Sequence, residues 1–252
     1  MVVQSALLIG RNLTRTLRIS EIIGSALVIP LLLYVLFIAA FAKTVLPEGN
    51  YADYANFALP GVIAFALGFA LPHSGGAVQR DAEEGYLDRL RSLPIGRSVM
   101  LIGRIGADAL VTGAQVVLLT LIGLLFGARF QGNLLEALVY LLAPMGIGAM
   151  LASFVVVLAL RAKSAEDVSG MINLFVLPLG YISGGIVPVS ALPNWLQPVA
   201  EINPLTAMVR AMRSSLEGTL HFASLWPALA WIVGGLAVAV PLAVRVDRRM
   251  TR

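Results

Sequence analysis

Cysteine is absent from the 252 residues. That single absence removes a disulfide framework, thiolate metal ligands and a thiol nucleophile. Charge is scarce as well: Asp, Glu, Lys and Arg make up 13% of the chain, about half of the ~25% usual in soluble domains. Lysine occurs only as Lys43 and Lys163. A phosphate-cradling loop needs upstream glycines and ends in Gly-Lys-Ser/Thr, but here alanine (Ala42, Ala162) precedes each lysine, so no nucleotide loop of that kind is present. Histidine is limited to His73 and His221. His221 follows Glu217 by four residues, and two such groups read as surface polarity before they read as a metal site. No spacing suggests a catalytic set, so neither a catalytic nor a metal-ligating residue is expected. The net charge of +4 is no sign of nucleic-acid affinity, because its distribution follows a membrane pattern instead.

What the chain does have is apolar length, with 58% of its residues hydrophobic. Six runs, near 22–42, 56–78, 99–127, 135–160, 168–187 and 225–244, each reach the ~20 residues that cross a bilayer. The expected fold is all-α: one polytopic transmembrane domain over 1–252, with six transmembrane helices. Six spans put both termini on one side. Of the 18 Lys and Arg residues, 14 fall at the termini or in the two loops on that side, and only Lys43, Arg129, Arg210 and Arg213 fall on the other. The positive-inside rule therefore expects both termini in the cytoplasm. Within the proposed spans Asp, Glu, Lys and Arg occur only near the ends, as Arg104, Asp108 and Glu136. An ion-driven carrier usually holds a carboxylate at depth, so this pattern counts against one. His73, after Pro72, is either a proton relay or a partner for backbone groups that the proline leaves open.

Residues 1–20 do not read as a signal peptide, because the arginines follow the apolar stretch. Arg11, Arg15 and Arg18 share one helical face, opposite Ala6, Ile9, Leu13 and Leu17. This is either a helix lying in the cytoplasmic interface or a basic anchor that only fixes topology. Charge is densest in the loop 80–97. Drawn as a helix that Pro94 stops, it sets Tyr86, Leu87, Leu90 and Leu93 on one face and Asp81, Glu84, Asp88 and Arg91 on the other. Such an amphipathic rod fits a groove on another protein or lies on the lipid surface.

Beyond the fifth run, Pro188, Pro193, Pro198 and Pro204 punctuate 188–220. Ser190 is placed to cap a short helix holding Pro193 and Trp195 in its early turn. Asn203-Pro204 reads as a second cap-and-proline start. Two short proline-broken helices suit an extracellular re-entrant hairpin, and a plain extracellular loop is the other reading. Gly123-x-x-x-Gly127 and Gly180-x-x-x-Gly184 allow close helix approach. Asn173 and Gly180, seven apart, share a face, with Tyr181 and Gly184 beside it. That face is expected either at a subunit interface and substrate path or in packing within one subunit.

Two stretches resemble a known family. Glu83-Glu84-Gly85, Asp88, Leu90, Leu93-Pro94 and Arg97 are similar to the cytoplasmic loop of type 2 ABC-transporter permease subunits. Tyr86 stands there where threonine is usual, and Asp88 where glutamate is usual. Ser183-Gly184-Gly185, Pro188, Leu192-Pro193-x-Trp195-Leu196, Asn203-Pro204 and Arg213 resemble the family's extracellular re-entrant helices. The resemblance implies that 83–94 is a coupling helix docking on a separate ATP-binding cassette subunit, present in two copies. ATP and Mg would then be bound by that partner and no cofactor by this chain. It implies a second permease subunit, as a homo- or heterodimer, in the inner membrane of a bacterium. The daunorubicin-resistance type of drug exporter is the nearest likeness. Export of an amphipathic drug-like molecule or lipid is therefore expected, with cell-wall polysaccharide or complex lipid as the alternative cargo. An ion-driven transporter and a non-transporting scaffold are the rival readings.

Overall fold

A computed structural model describes residue 10 and residues 28–85, 97–162 and 164–249, without the side chains of 82, 97–101 and 247–249. Among the described residues all regular structure is helical. In chain order the helices are α1 (Ile29–Val45), α2 (Tyr51–Glu83), α3 (Arg97–Leu125), α4 (Leu134–Ala159), α5 (Ala165–Tyr181), α6 (Gln197–Glu201), α7 (Pro204–Leu216) and α8 (Phe222–Arg249), with one 3-10 turn at Val189–Ala191. Stretches of α2, α3, α4 and α8 are long and apolar enough to cross a membrane, and α1 is a shorter apolar helix.

α2 is the centre of the bundle. It packs against α1, α3, α4 and α5, and every residue from 58 to 68 is buried. A helix that is apolar all round has no face to give to solvent and takes a central place. Glycines set how near its neighbours come. A Cβ added to Gly61 would stand 2.4 Å from the Gly185 Cα, and one added to Gly185 would stand 2.2 Å from the Gly61 Cα. The two backbones touch there, which only glycine permits. At the end of α3, a Cβ on Gly123 would meet the Leu59 side chain at 2.9 Å. Gly127 ends α3 in the left-handed region, at φ +96°, and sits against Ala52. Both glycines of this spaced pair thus serve packing inside the chain.

Two expectations change. The fifth apolar run, 168–187, is helical only to Tyr181, and α5 opens with Glu166 and Asp167 in its first turn. Ser183 is buried, Gly184 turns the chain at φ +73°, and Gly185 lies on Gly61. The helix thus ends after 17 residues, and the rest of the run turns back against α2. In the hairpin segment, the helix expected from Ser190 begins instead at Gln197, after a 3-10 turn, with Pro198 at its start. Pro193 and Trp195 lie in the turns ahead of it, where the Pro193 carbonyl accepts from the Leu196 and Gln197 amides. Asn203 caps α7 as expected, accepting from the Leu205 amide, with Pro204 in the first turn.

The helices define two ends. The starts of α2, α4 and α8 share one end with α6 and α7, called here the hairpin end. The end of α2 and the starts of α3 and α5 share the other, the loop end.

Candidate functional site

At the loop end, α2 is longer than a bilayer's hydrocarbon core is thick. Its 33 residues extend about 50 Å at 1.5 Å per residue, against a hydrocarbon core of about 30 Å. The last turn stays tied down: Gln79 and Asp81 are buried, and Gln79 Nε2 donates to the Ala162 carbonyl at 3.2 Å. Glu83 and Glu84 beyond it are exposed. The Glu84 amide donates to the Arg80 carbonyl at 2.9 Å, and Gly85 takes φ +67°, the left-handed stop of a helix end. One continuous amphipathic helix from Arg80 to Pro94 is therefore not what forms. Residues up to Glu83 belong to α2, and Gly85 breaks the rod because an L-residue resists that φ. Tyr86, Leu87, Asp88, Leu90, Leu93 and Pro94 lie outside the described residues, as do Arg11, Arg15 and Arg18.

Two turns above Glu83 lies a polar cluster that spacing alone did not assemble. Ser74 Oγ donates to Asp108 Oδ2 at 2.6 Å. Arg104 Nη2 donates to the Ser74 carbonyl at 2.6 Å and to Ser74 Oγ at 3.2 Å. Arg104 and Asp108 also pair one turn apart along α3, at 3.5 Å. The charges neutralise each other and are hydrogen-bonded, as a pair with only 12% and 17% of the side chains exposed must be. They also bind the charged end of α3 to α2, just where α2 leads into the 80–97 loop. Arg104 and Asp108 were visible in sequence only as charges near the end of a run. That they pair through Ser74 was not, since a lone serine 30 and 34 positions away carries no such signal.

The hairpin end has its own constellation. An α-helix leaves its last carbonyls without intrahelical donors, and α5 ends against other helices instead of in water. Its open carbonyls are met by side chains. Asn203 Nδ2 donates to the Leu179 carbonyl at 2.7 Å, and Ser183 Oγ to the Gly180 carbonyl at 2.7 Å. Arg213 Nη2 reaches the Gly184 carbonyl at 2.9 Å and the Phe57 carbonyl at 3.0 Å. Its guanidinium lies 3.9 Å above the Phe57 ring, a cation–π contact. Tyr54 Oη donates to the Ile186 carbonyl at 3.0 Å. One arginine on α7 thus clamps α2 to the turn after α5. Burial pushes its pKa down to about 10, with nearby Glu217 acting in the opposite sense, so it remains charged at neutral pH. Glu136 forms a second tie there: its carboxylate accepts from the Asn133 amide at 2.7 Å in a capping box and from the Leu220 amide at 3.1 Å. His221 Nδ1 lies 2.9 Å from the Thr219 carbonyl.

The face of α5 holds a redistribution. Gly180 is buried against the Phe65 ring of the same chain, and Gly184 is buried in the turn beside Val189. Asn173 is half-buried. Tyr181 is 58% exposed, with its ring edge-on to Phe65. The glycines therefore serve packing within the subunit. The uncovered face is Met171, Leu174, Phe175 and Tyr181. In the hairpin segment Trp195 and Pro193 are exposed and Pro204 is buried.

The profile of the ABC-2 type transporter family matches residues 3–216. The chain belongs to the ABC-2 type transporter family. With its several apolar helices, this ABC-2 chain is a multi-pass membrane protein of the permease kind. It is 29% identical over 209 residues to the daunorubicin resistance ABC transporter permease protein DrrB1 of Streptomyces coeruleorubidus, covering 81% of this chain and 74% of the relative. It is 29% identical over 255 residues to the probable doxorubicin resistance ABC transporter permease protein DrrC of Mycobacterium tuberculosis, covering 99% and 90%. The probable multidrug ABC transporter permease YbhR of Escherichia coli is 28% identical over 190 residues, covering 70% of this chain and 49% of the relative.

Proposed function

We propose that this ABC-2 chain is the membrane subunit of a bacterial ATP-driven exporter that moves an amphipathic drug-like molecule or lipid outward. The observation that carries the reading is the exposed Glu83–Glu84 pair at the loop end of α2, the most buried of the four long apolar helices among the described residues. A push delivered there moves the core of the fold, and through the Ser74–Arg104–Asp108 cluster it moves α3 with it. The working unit is two ATP-binding cassette subunits, holding ATP and Mg, beneath two permease subunits in the inner membrane. Six membrane crossings, cytoplasmic termini and the outward-facing, half-inserted hairpin at α6 and α7 belong to the same reading. The exposed α5 residues Met171, Leu174, Phe175 and Tyr181 face the second subunit and the cargo. Only a few kcal/mol can separate the inward- and outward-facing states if nucleotide is to shift them.

The test is co-purification with a candidate ATP-binding cassette chain, followed by ATPase and transport assays on Glu84→Ala and Leu90→Ala. Weakened association, or ATP hydrolysis that no longer drives transport, is expected in both. Full association and coupling in both variants would remove the loop from the assignment. The absence of native cysteine makes single introduced thiols readable, so crosslinks between copies are expected from Leu174→Cys and none from Gly180→Cys.

A further inference from the structure

A cavity of about 730 Å³ opens on the flank of α8 near the hairpin end, away from the exposed face of α5. Its walls include Trp226, Trp231, Gly234 and Val238, and its rim holds Glu201 and Arg210. The volume lies within the ~300–1,000 Å³ range of small-molecule sites. From Trp226 to Val238 it follows one helical face for about 18 Å, more than half of a ~30 Å hydrocarbon core. Gly234 makes the depth, since a Cβ added there meets nothing within 4 Å. Trp226 and Trp231 are 51% and 39% exposed, and tryptophan concentrates where hydrocarbon meets headgroups. At the rim, Arg210 Nη2 donates to Glu201 Oε1, which uses one of five guanidinium donors and one of two carboxylate oxygens. Both side chains remain accessible, at 41% and 50%.

We infer that this trough is a binding site for one zwitterionic phospholipid with a primary ammonium headgroup. The acyl chain lies over Gly234 between the tryptophans, the phosphate meets Arg210, and the ammonium donates to Glu201. Opposite charges side by side match a zwitterion. An anionic headgroup would face the carboxylate without a cation of its own. A transmembrane helix of a second chain is the competing occupant. A helix of that length and ~10 Å diameter displaces about 1,400 Å³, twice the slot, whereas an acyl chain enters it. The site is independent of which cargo is exported.

Tryptophan quenching reads it out. The protein with Trp195→Phe, which leaves Trp226 and Trp231 as the only reporters, is placed in phosphatidylglycerol vesicles. Dibrominated phosphatidylethanolamine is titrated in, and dibrominated phosphatidylglycerol in the same host gives the exchange baseline. Half-quenching by the ethanolamine lipid is expected at a mole fraction about three-fold lower, the size an exposed charge pair supports. Gly234→Leu, or Ala230→Leu one turn away, fills the trough and brings the two curves together. Glu201→Gln with Arg210→Gln removes the preference without filling the trough. Coincident curves in the Trp195→Phe protein overturn the proposal, and so does a preference that survives both fills. Tryptophans that neither brominated lipid quenches also overturn it and give the face to a second chain.

Discussion

α2 and α8 are both long, apolar and broken by two prolines each, and α8 has the more hydrophobic spanning stretch of the two. Yet 78% of the stretch in α2 is buried and only 17% of that in α8. Hydrophobicity does not separate them, because a lipid tail is as good a neighbour for leucine as another helix is. What separates them is where small residues stand. A Cβ added to Gly61 would stand 2.4 Å from the backbone of residue 185, and one added to Gly75 would stand 2.4 Å from the Val168 side chain. α8 has one such contact, Gly235 against Met150, while its neighbour Gly234 faces open space. In a bilayer, a glycine that marks a helix crossing and one that marks a cavity look alike in sequence. Burial therefore separates a helix held on most sides, α2, from one with an open flank, α8.

The sharpest way to break the comparison is to put the same side chain at both kinds of glycine. Gly61→Leu drives a side chain into the Gly185 backbone, which has no flexible end to yield. A loss of about 3 kcal/mol or more is expected, at the high end of overpacking costs. It should appear as little folded protein in detergent or a sharply lowered melting temperature. Gly234→Leu should change stability by no more than about 0.5 kcal/mol, as exposed substitutions do. Equal losses at the two positions would mean that α8 is as enclosed as α2.

A smaller effect tests whether the clamp at the hairpin end holds α2 by hydrogen bonds or by bulk alone. Arg213→Met keeps most of the apolar stem and removes the donor to the Phe57 and Gly184 carbonyls. Each bond to a charged donor is worth about 1.5–3 kcal/mol, and the pair is not additive, so a loss of about 3 kcal/mol in detergent unfolding is expected. Arg213→Lys should recover only part of it, since an ammonium lacks the planar face that the guanidinium lays over the Phe57 ring. A methionine variant as stable as the parent would show that packing around Phe57 is sufficient.

Much of this arrangement could be read before any coordinates. Apolar length marked the regions of α2, α3, α4 and α8, and Asn203-Pro204 marked the start of α7, because spans and caps are local and periodic. The end of α5 could not be read that way. Its 20-residue apolar run met the length rule, yet the helix stops at Tyr181 and Gly185 beyond it lies on a glycine of a distant segment, α2. Arg213 was noticed as part of a resemblance, but its role depends on the Phe57 carbonyl, 156 positions earlier. Gly85 was quoted as a motif residue, yet its local meaning, a helix stop, splits the rod that amphipathic spacing had drawn. Long-range contacts and backbone φ are the two quantities that periodicity does not encode, and both errors trace to them.

The mildest perturbation of the comparison acts at the rim of α8's trough. The Arg210 hydrogen bond, opposed by slight desolvation and aided by the Arg210 charge, holds the Glu201 carboxyl below its ordinary value of 4.5. As pH falls below that value the unfolded chain takes up its proton first, so the contribution is complete above 4.5 and is lost as pH drops through the lower folded value. Half-exposed and screened, the pair is worth at most about 0.5 kcal/mol. Melting temperatures of the parent and Glu201→Gln should therefore differ slightly at pH 7 and converge as the medium is acidified below 4.5. A gap that stays constant across that range would mean that Glu201 supports the link between α6 and α7 by packing and not by charge. Gly61→Leu, set in the interior of α2, should keep its full deficit at either pH. The buried helix would then be insensitive to a titration that its peripheral counterpart registers.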